Sequence, residues 1–261
     1  MNHELYKDIF KRKSFHLFRN IGSALIEKSE LEEIEKAYAS FDRLYPEIRT
    51  AIRILPASEV NFKRGAEYCI LIYSEKKDNY LMNVGYIGEQ LDLYLVHRGI
   101  GSLWFGIGKP DIQTYEGLGF VIMIAIHKVN DLSKYRKDMF KAKRKSLEEI
   151  WNGDTLGIAE IARFSPSACN TQPWYVRNED GKLTVFRYKK KGKRGIMPAE
   201  SVTYYNRIDI GIFLCVLELC MNEKNITFER KLFSDLGDDE YSKVAEYNLI
   251  SENKGKQEEI I

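Results

Sequence analysis

Two long apolar segments dominate the hydrophobic pattern of the chain, and each begins near a glycine. The first opens at Asn83-Val84-Gly85 and the second at Asp209-Ile210-Gly211. Fourteen residues after each glycine stands Gly99 or Asn225, and both residue types suit the left-handed position at the end of a helix. The spacing therefore predicts two similar helices.

A segment that favours a β-strand comes before each of these helices. Residues 67–73 are a nearly continuous apolar run, which is typical of a central strand, and residues 183–188 alternate between apolar and polar side chains. The pattern predicts two diverged copies of one strand-and-helix unit. The alternative is that two apolar helices share their spacing by chance.

The remaining elements are predicted from shorter patterns. Helices are expected at residues 30–41, 147–150 and 154–163, and strands at 49–55 and 120–127. Residues 189–195 form a basic loop, and the polar tail from Ser251 is expected to fray. Because no low-complexity linker separates the halves, one compact body is expected.

Composition narrows the class of protein. An apolar fraction of 44% is enough for a sizeable core, and a net charge of +2 gives no reason to expect nucleic acid as a partner. No apolar stretch follows Met1, and residues 208–221 are too few to cross a bilayer, so a cytoplasmic protein without a membrane partner is expected. The four cysteines form no CxxC pair and the histidines no HxxxH pattern, so free thiols and no metal are expected.

The first candidate for binding chemistry is Arg12-Lys13-Ser14-Phe15-His16 near the start of the chain. Two cations beside a hydroxyl offer the charge-assisted donors that a phosphate needs. The alternative is a solvated basic segment. Arg144, at the end of a basic run, offers the same choice between a phosphate contact and a solvated face.

The second candidate is the segment from Ser165 to Trp174, which opens with a Ser-Pro-Ser turn signal. Its short polar side chains could bind the hydroxyls of a ribityl chain or the edge of a polar ring. The alternative is a helix start capped by Ser165 or Ser167. Cys169 has no histidine near it in sequence, so we interpret it as a packing thiol and not as a nucleophile.

The third candidate is a glycine-rich loop at residues 99–110. Its glycines would let the backbone approach a flat ligand. Trp104 occupies the third glycine position of a GxGxxG pattern, and the segment follows a helix, so a Rossmann dinucleotide site is not expected. The chain also lacks the GxxxxGK[ST] pattern of a P-loop.

Taken together, these segments resemble the FMN-dependent nitroreductase family. The family's Arg-Arg-Ser-x-Arg-x-Phe motif matches residues 12–18, with Lys13 and His16 in place of arginines. Its Ala-Pro-Ser-x-x-Asn-x-Gln-Pro-Trp motif matches residues 165–174, with Ser165 for alanine. Its Gly-Leu-Gly-Ser-x-Trp-x-Gly motif matches residues 99–106 except at Ile100, and its Arg-Lys-Pro-Leu-Glu-Glu stretch is similar to residues 144–149.

The order of these motifs resembles a tandem arrangement, the Thermotoga-type nitroreductases, in which one chain forms an intramolecular pseudo-dimer. The resemblance implies a nitroreductase-like α+β fold with antiparallel-rich sheets flanked by helices. It divides the chain into one copy at residues 1–150, with the phosphate cluster and Trp104, and a second at 151–261, with the Pro-Ser-x-x-Asn segment. It also implies that in copy one the helical residues 30–41 stand at the position that the Pro-Ser-x-x-Asn segment occupies in copy two. One composite FMN site per chain follows, in a monomer or a weak homo-oligomer.

The resemblance implies that FMN takes a hydride from NAD(P)H and reduces a small acceptor such as a nitro compound or a quinone. The flavin carries the chemistry, so no catalytic side chain is assigned. A flavin-dependent dehalogenase or dehydrogenase, or a non-catalytic flavin-binding protein, is the alternative. The residues implied in cofactor binding are Arg12, Lys13, Ser14, His16, Ser102, Leu103, Trp104, Arg144, Pro166, Ser167, Ala168, Asn170 and Gln172.

Overall fold

Two five-stranded sheets and two long central helices form the body of the protein. The structure is a computed structural model. It describes residues 3–60, 62–108, 110–188, 195, 197–237 and 239–250. Residues 189–194 of the basic loop predicted at 189–195, and the predicted tail from Ser251, lie outside the described residues. All strand pairs are antiparallel apart from one, so the predicted α+β fold with antiparallel-rich sheets flanked by helices is confirmed.

The first sheet has the strand order β1-β2-β5-β3, with the short β4 paired to β5. Its second and third strands in the chain are separated by the long helix α3. The elements of this half are α1 (Tyr6–Ile9), α2 (Lys28–Ser40), β1 (Thr50–Pro56), β2 (Tyr68–Ser74), α3 (Tyr80–His97), β3 (Ile100–Phe105), β4 (Thr114–Tyr115) and β5 (Leu118–Lys128).

The second sheet repeats this order as β7-β8-β10-β9, with β6 added in parallel beside β7. The long helix α6 again separates the second and third strands of the repeated set. The elements are α4 (Leu147–Ile150), β6 (Trp151–Asn152), α5 (Ala159–Ala162), β7 (Trp174–Glu179), β8 (Lys182–Tyr188), α6 (Val202–Glu223), β9 (Phe228–Leu232) and β10 (Tyr241–Leu249).

The helices α3 and α6 cross in direct contact, and two glycines make this close approach possible. A Cβ on Gly85 would lie 2.0 Å from the carbonyl oxygen of Ile208, and a Cβ on Gly211 would lie 1.9 Å from that of Met82. The contacts are reciprocal, because each glycine meets the residue three positions before the other glycine. Such self-complementarity is typical of an interface related by a two-fold axis.

Both central helices are buried nearly all round, as expected for helices between two sheets. Four buried carboxylates interrupt their apolar surfaces: Glu89 and Asp92 on α3, and Asp209 and Glu218 on α6. Burying an ionised group without a partner is unfavourable. The groups that surround each of these four carboxyl groups therefore determine whether it can be ionised.

The predicted helices and strands are found, with different bounds. Helix α3 begins at Tyr80 and α6 at Val202, each earlier than its glycine motif indicated. Gly99 and Asn225 have φ angles of 69° and 54°, so both predicted left-handed helix ends are confirmed. The helix at residues 147–150 is also confirmed, and Ser146 and Glu149 form its capping box.

Two predictions from the pattern are wrong. The helix expected at residues 154–163 is reduced to α5, because Leu156 and Gly157 adopt left-handed φ angles of 55° and 64° that a continuous helix does not allow. The first half of the glycine-rich loop expected at residues 99–110 is instead strand β3, which pairs along its length with β5. Strand pairing between distant segments satisfies backbone groups that a local pattern leaves unassigned.

Candidate functional site

A cavity of 670 Å³ lies between the two halves of the chain, within the size range of small-molecule sites. The first half contributes the N-terminal segment and the end of β3, and the second half contributes the Pro-Ser turn and one face of α6. The lining residues used below are Arg12, Ser14, His16, Arg64, Leu103, Trp104, Pro166, Ser167, Ala168, Cys169, Glu200, Tyr205 and Asp209.

The N-terminal segment lies alongside β3. Ser14 forms a parallel bridge with Ser102, and the Phe15 amide donates to the Ser102 carbonyl at 3.0 Å. The buried ring of Phe15 anchors the segment, and successive side chains point to opposite sides. Arg12 is consequently buried beside the cavity, whereas Lys13 is exposed and donates to the carbonyl of Lys134 at 3.0 Å.

A buried carboxylate on α3, Asp92, connects three of the predicted site residues. Its Oδ2 accepts from Arg12 Nε at 2.8 Å and from Trp104 Nε1 at 2.9 Å, and its Oδ1 accepts from the Ser102 hydroxyl. Ser102 is therefore fully buried and lies outside the cavity lining. Asp92 fixes the positions of Arg12 and Trp104 at the cavity wall.

Glu89 is the second buried carboxylate near Arg12. Burial raises the pKa of Glu89 well above its usual range, and the neighbouring Asp92 raises it further. For Arg12, burial acts to lower the pKa, but attraction to Asp92 and Glu89 outweighs it and raises the pKa. Arg12 Nη2 lies 2.8 Å from Asp92 Oδ2, yet this buried nitrogen makes no hydrogen bond of good geometry. It retains an unused donor.

Arg144 is the centre of a cluster of arginines. Its Nη1 donates to Asn170 Oδ1 at 2.9 Å and its Nη2 to the Phe164 carbonyl at 3.2 Å, while its buried Nε has no hydrogen-bond partner. The pKa of Arg144 is lowered to about 10, chiefly by burial and in addition by repulsion from Arg136, Arg12 and Arg163.

The pKa of Arg136 is lowered as well, chiefly by burial and in addition by repulsion from Arg12. Within the described residues no carboxylate forms an ion pair with Arg136, Arg144 or Arg163. Half-buried cations that repel one another and have no carboxylate partner are suited to binding a multivalent anion.

The segment from Pro166 to Gln172 is a tight turn, not the start of an α-helix. Cys169, Asn170 and Gln172 adopt left-handed φ angles of 49°, 55° and 48° around a single 3₁₀ turn. Such backbone is sparsely populated by residues other than glycine, although asparagine tolerates it well. The predicted non-helical turn is confirmed, and the alternative of a capped α-helix is wrong.

Three of the hydrogen bonds that hold this turn show how it is fixed in place. The Gln172 amide donates to Ser167 Oγ at 3.0 Å, and Gln172 Oε1 accepts from the Lys145 amide at 2.9 Å. The Ala168 amide donates to Asp209 Oδ1 on α6 at 2.9 Å. The turn is thus fixed both to the segment that carries Arg144 and to a central helix.

The structure brings the predicted site residues together in two groups. The residues that line the cavity are Arg12, Ser14, His16, Leu103, Trp104, Pro166, Ser167 and Ala168. Arg144, Asn170 and Gln172 form a hydrogen-bonded chain outside that lining. Lys13 and Ser102 lie in neither group. Cys169 is exposed at the cavity, so its interpretation as a packing thiol is wrong.

Sequence reasoning missed several residues of the site. Asp92 and Asp209 could have been found as carboxylates inside long apolar helices, which is an expensive place for a charge. Arg136 lies in a run of basic residues, so the sequence does not distinguish it from its neighbours. Tyr205 crosses between the halves, with its hydroxyl donating to the Gly106 carbonyl, and nothing in the local pattern marks it.

In the first half, the loop after α2 makes a contact that matches one made by the Pro-Ser turn. The Tyr45 amide donates to Asn83 Oδ1 at 3.0 Å, just as the Ala168 amide donates to Asp209 Oδ1, and each acceptor lies two residues before its crossing glycine. The expectation that residues 30–41 occupy this place is therefore wrong. Helix α2 comes before the counterpart loop, as α5 comes before the Pro-Ser turn.

Neither a membrane span nor a metal cluster is found in the part of the chain that the structure describes. No helix there is long and apolar enough to cross a bilayer. Those residues also contain no group of three or more histidine, cysteine or acidic side chains that could hold a metal ion.

The fold and the site define an α+β protein whose two halves share one cavity with arginines beside it. A protein-family model described as "Putative TM nitroreductase" matches residues 4–221, and the chain belongs to this nitroreductase family. The resemblance inferred from the motifs is confirmed. By its name, this is a family of oxidoreductases. A search of curated proteins found no match.

One solved structure that covers nearly all of the chain supports the same fold. The chain is similar to a "putative nitroreductase" from Thermotoga maritima, with 19% identity, coverage of 95% of this chain and 94% of that one, and a TM-score of 0.61. A nitroreductase family protein from Clostridium difficile 630 is 16% identical, covering 57% of this chain and 97% of its own, with a TM-score of 0.43. An FMN-dependent nitroreductase from Clostridium difficile R20291 is 15% identical, covering 48% and 87%, with a TM-score of 0.38.

Proposed function

We propose that the chain binds one FMN in the cavity between its halves and passes electrons from NAD(P)H to a small acceptor such as a nitro compound or a quinone. The observation that carries the proposal is the cluster of Arg12, Arg136 and Arg144 beside a cavity walled by Trp104 and the Pro-Ser turn, in which Arg12 Nη2 and Arg144 Nε have no hydrogen-bond partner. No second function is favoured by a separate observation.

The donor set fits the phosphate of FMN. A phosphate dianion would relieve the repulsion that lowers the pKa values of Arg136 and Arg144, and it would accept the free hydrogens of Arg144 Nε and Arg12 Nη2. Asn170 orients the guanidinium of Arg144 from the second half. We infer a role in phosphate binding for Arg136, which the motif comparison did not include, whereas Lys13 faces away and contributes through charge alone.

The remaining cavity wall fits a flat ring with polar edges. When bound, FMN accepts a hydride from NAD(P)H and donates electrons to the second substrate. Leu103 and Trp104 would form the wall on the side of the first half, while Ser167 and Ala168 would close the other side. His16 lies at the exposed side of the cavity. The chain's own role is to bind and orient the flavin, and we assign no catalytic side chain.

We propose that residues 1–150 and 151–261 are diverged copies that form an intramolecular pseudo-dimer. Three observations support this: the repeated strand order, the reciprocal contacts of Gly85 and Gly211, and the matched bonds from Tyr45 and Ala168 to the central helices. The site is then composite, because each half contributes what the other lacks.

The counterpart of the site in the second half is filled by side chains. Glu218 lies seven residues after its glycine, as Asp92 does, and it accepts at 2.7 Å from Tyr86, from Tyr247 and from Arg230 Nη1. The described lining of a pocket of 430 Å³ beside Tyr45 includes a lysine but no arginine. These contacts support one flavin per chain.

The function is tested by reconstituting the purified protein with FMN and adding NADH or NADPH without oxygen. A yellow protein that either nucleotide bleaches, and that a nitro compound or quinone then restores, is the expected result. A protein that cannot retain FMN would contradict the proposal. Retention of FMN that neither nucleotide bleaches would indicate a flavin-binding protein without turnover.

Arg144→Ala is expected to weaken FMN binding by about 10-fold to 100-fold, the loss of one or two charged hydrogen bonds. Riboflavin has no phosphate, so its dissociation constant should stay within about twofold. Fluorescence titration with both ligands measures this. Arg177→Ala, which removes the same charge from an exposed site on β7, is the matched control. Equal weakening for riboflavin would show that Arg144 does not act through the phosphate.

A further inference from the structure

Asp209 has an unusual environment for a carboxylate. It lies on α6 at the wall of the cavity and is only 3% exposed. Oδ1 accepts from the Ala168 amide at 2.9 Å, whereas Oδ2 has no hydrogen-bond partner. The neighbouring Thr171 hydroxyl donates instead to the Ala168 carbonyl at 3.0 Å. One oxygen of a buried side chain at the cavity is therefore free.

The corresponding residue of the first half is a neutral amide. Asn83 uses Oδ1 to accept from the Tyr45 amide at 3.0 Å, and its buried Nδ2 has no hydrogen-bond partner. A protonated aspartate has the shape and polarity of an asparagine, with one acceptor and one donor. The two halves thus present the same arrangement if Asp209 is neutral.

The electrostatic surroundings agree with a neutral Asp209. Its pKa is raised to about 8, because burial outweighs the lowering by the hydrogen bond from the Ala168 amide and by the nearby Thr171 hydroxyl. The other charged or titratable groups at the cavity are Arg12 and His16 of the N-terminal segment, Arg64 before β2, Cys169 of the Pro-Ser turn, Glu200 before α6 and Tyr205 on α6. None of these forms an ion pair with Asp209 among the described residues.

We propose that Asp209 acts in its neutral form as a positioning residue. Oδ1 holds the turn at Ala168, and Oδ2 donates a hydrogen bond to a ring nitrogen or carbonyl oxygen of the flavin. This inference rests on the proposed binding of FMN. It gives the second half a direct contact with the ring, in addition to the Pro-Ser turn. Ionisation of Asp209 would remove the donor and place a charge against an electron-rich ring edge.

The test is the dissociation constant of FMN between about pH 7 and about pH 9.5, above the second ionisation of the phosphate. The wild-type constant should rise by about 10-fold or more across this range, because the bound form requires the proton. Asp209→Asn keeps an acceptor and a donor, so its constant should match the wild-type value at pH 7 and stay flat. Asp209→Ala should bind weakly at every pH.

Two controls separate folding and general pH effects from the proposed contact. Thermal melting reports whether Asp209→Ala is folded. Asp8→Asn changes a buried aspartate outside the cavity and should keep the wild-type pH curve. A wild-type constant that is flat or that falls with pH would overturn the proposal, as would an Asp209→Asn protein that binds more than about tenfold weaker at pH 7.

The protonation state can also be measured without flavin. The infrared spectrum of the apoprotein at about pH 7 should contain a carboxylic acid band that Asp209→Asn removes. Absence of that band would overturn the neutral form of Asp209. If the wild-type protein binds no FMN at any pH, the proposed function fails, and the infrared result still reports on Asp209.

Discussion

Gly211→Ala is expected to destabilise the protein by about 3 kcal/mol, because the added methyl overlaps backbone and not a movable side chain. The new Cβ would lie 1.9 Å from the Met82 carbonyl oxygen and 2.7 Å from the Tyr86 amide nitrogen. Alanine in a helix is ordinarily about 1 kcal/mol more favourable than glycine, so the expected sign is opposite to the intrinsic preference. The helices would have to separate, and the sheets and the cavity depend on their contact.

Urea unfolding of the purified variant measures this effect. Gly85→Ala should destabilise by a similar amount, because its contact with Ile208 is the reciprocal one. Gly119→Ala is the control, since its methyl meets the flexible end of Lys76, and we expect a change within about 0.5 kcal/mol. A Gly211→Ala protein as stable as the wild type would mean that the helices cross less closely than described.

Asp92→Ala is expected to cost about 3 to 5 kcal/mol and to abolish FMN retention. The substitution leaves the buried guanidinium of Arg12 without its principal counter-charge, which is the costly way to break a buried ion pair. It also releases the indole of Trp104 from its only described hydrogen bond. Arg12 and Trp104, which lie at the cavity wall on the side of the first half, would both lose the carboxylate that holds them in place.

A double-mutant cycle separates these effects. Arg12→Met in the Asp92→Ala background removes the unpaired charge, so it should recover part of the stability without restoring FMN binding. Chemical unfolding and the flavin content after gel filtration are the two readouts. If Asp92→Ala alone stays within about 1 kcal/mol of the wild type, Asp92 is not the anchor of the site.

The central helices and the Pro-Ser turn could be predicted because their signals are local. Long apolar runs with a glycine and a left-handed end indicate α3 and α6, and proline with serine indicates the turn at Pro166. Strand β3 was missed because its hydrogen bonds to β5 join distant segments. Helix α5 was overestimated because the left-handed backbone at Leu156 depends on its context and not on the residue type.

The residues of the site could be predicted from the sequence only where they lie within a recognised motif. Arg12 and Arg144 were found, but the residue that orders them was not, because Arg12 and Asp92 lie 80 positions apart in the chain. The neutral carboxyl group proposed for Asp209 depends on its burial between the two halves, which the local sequence does not indicate. Lys13 was predicted on the strength of its charge, yet the alternation of side chains beside β3 turns it to solvent.

The stoichiometry of FMN tests the composite site most directly. Native mass spectrometry of the reconstituted protein gives the number of flavins per chain whatever the oligomeric state. We expect saturation at one FMN per chain, because Glu218 and its three partners fill the counterpart position. Saturation at two per chain, or no binding at all, would contradict it.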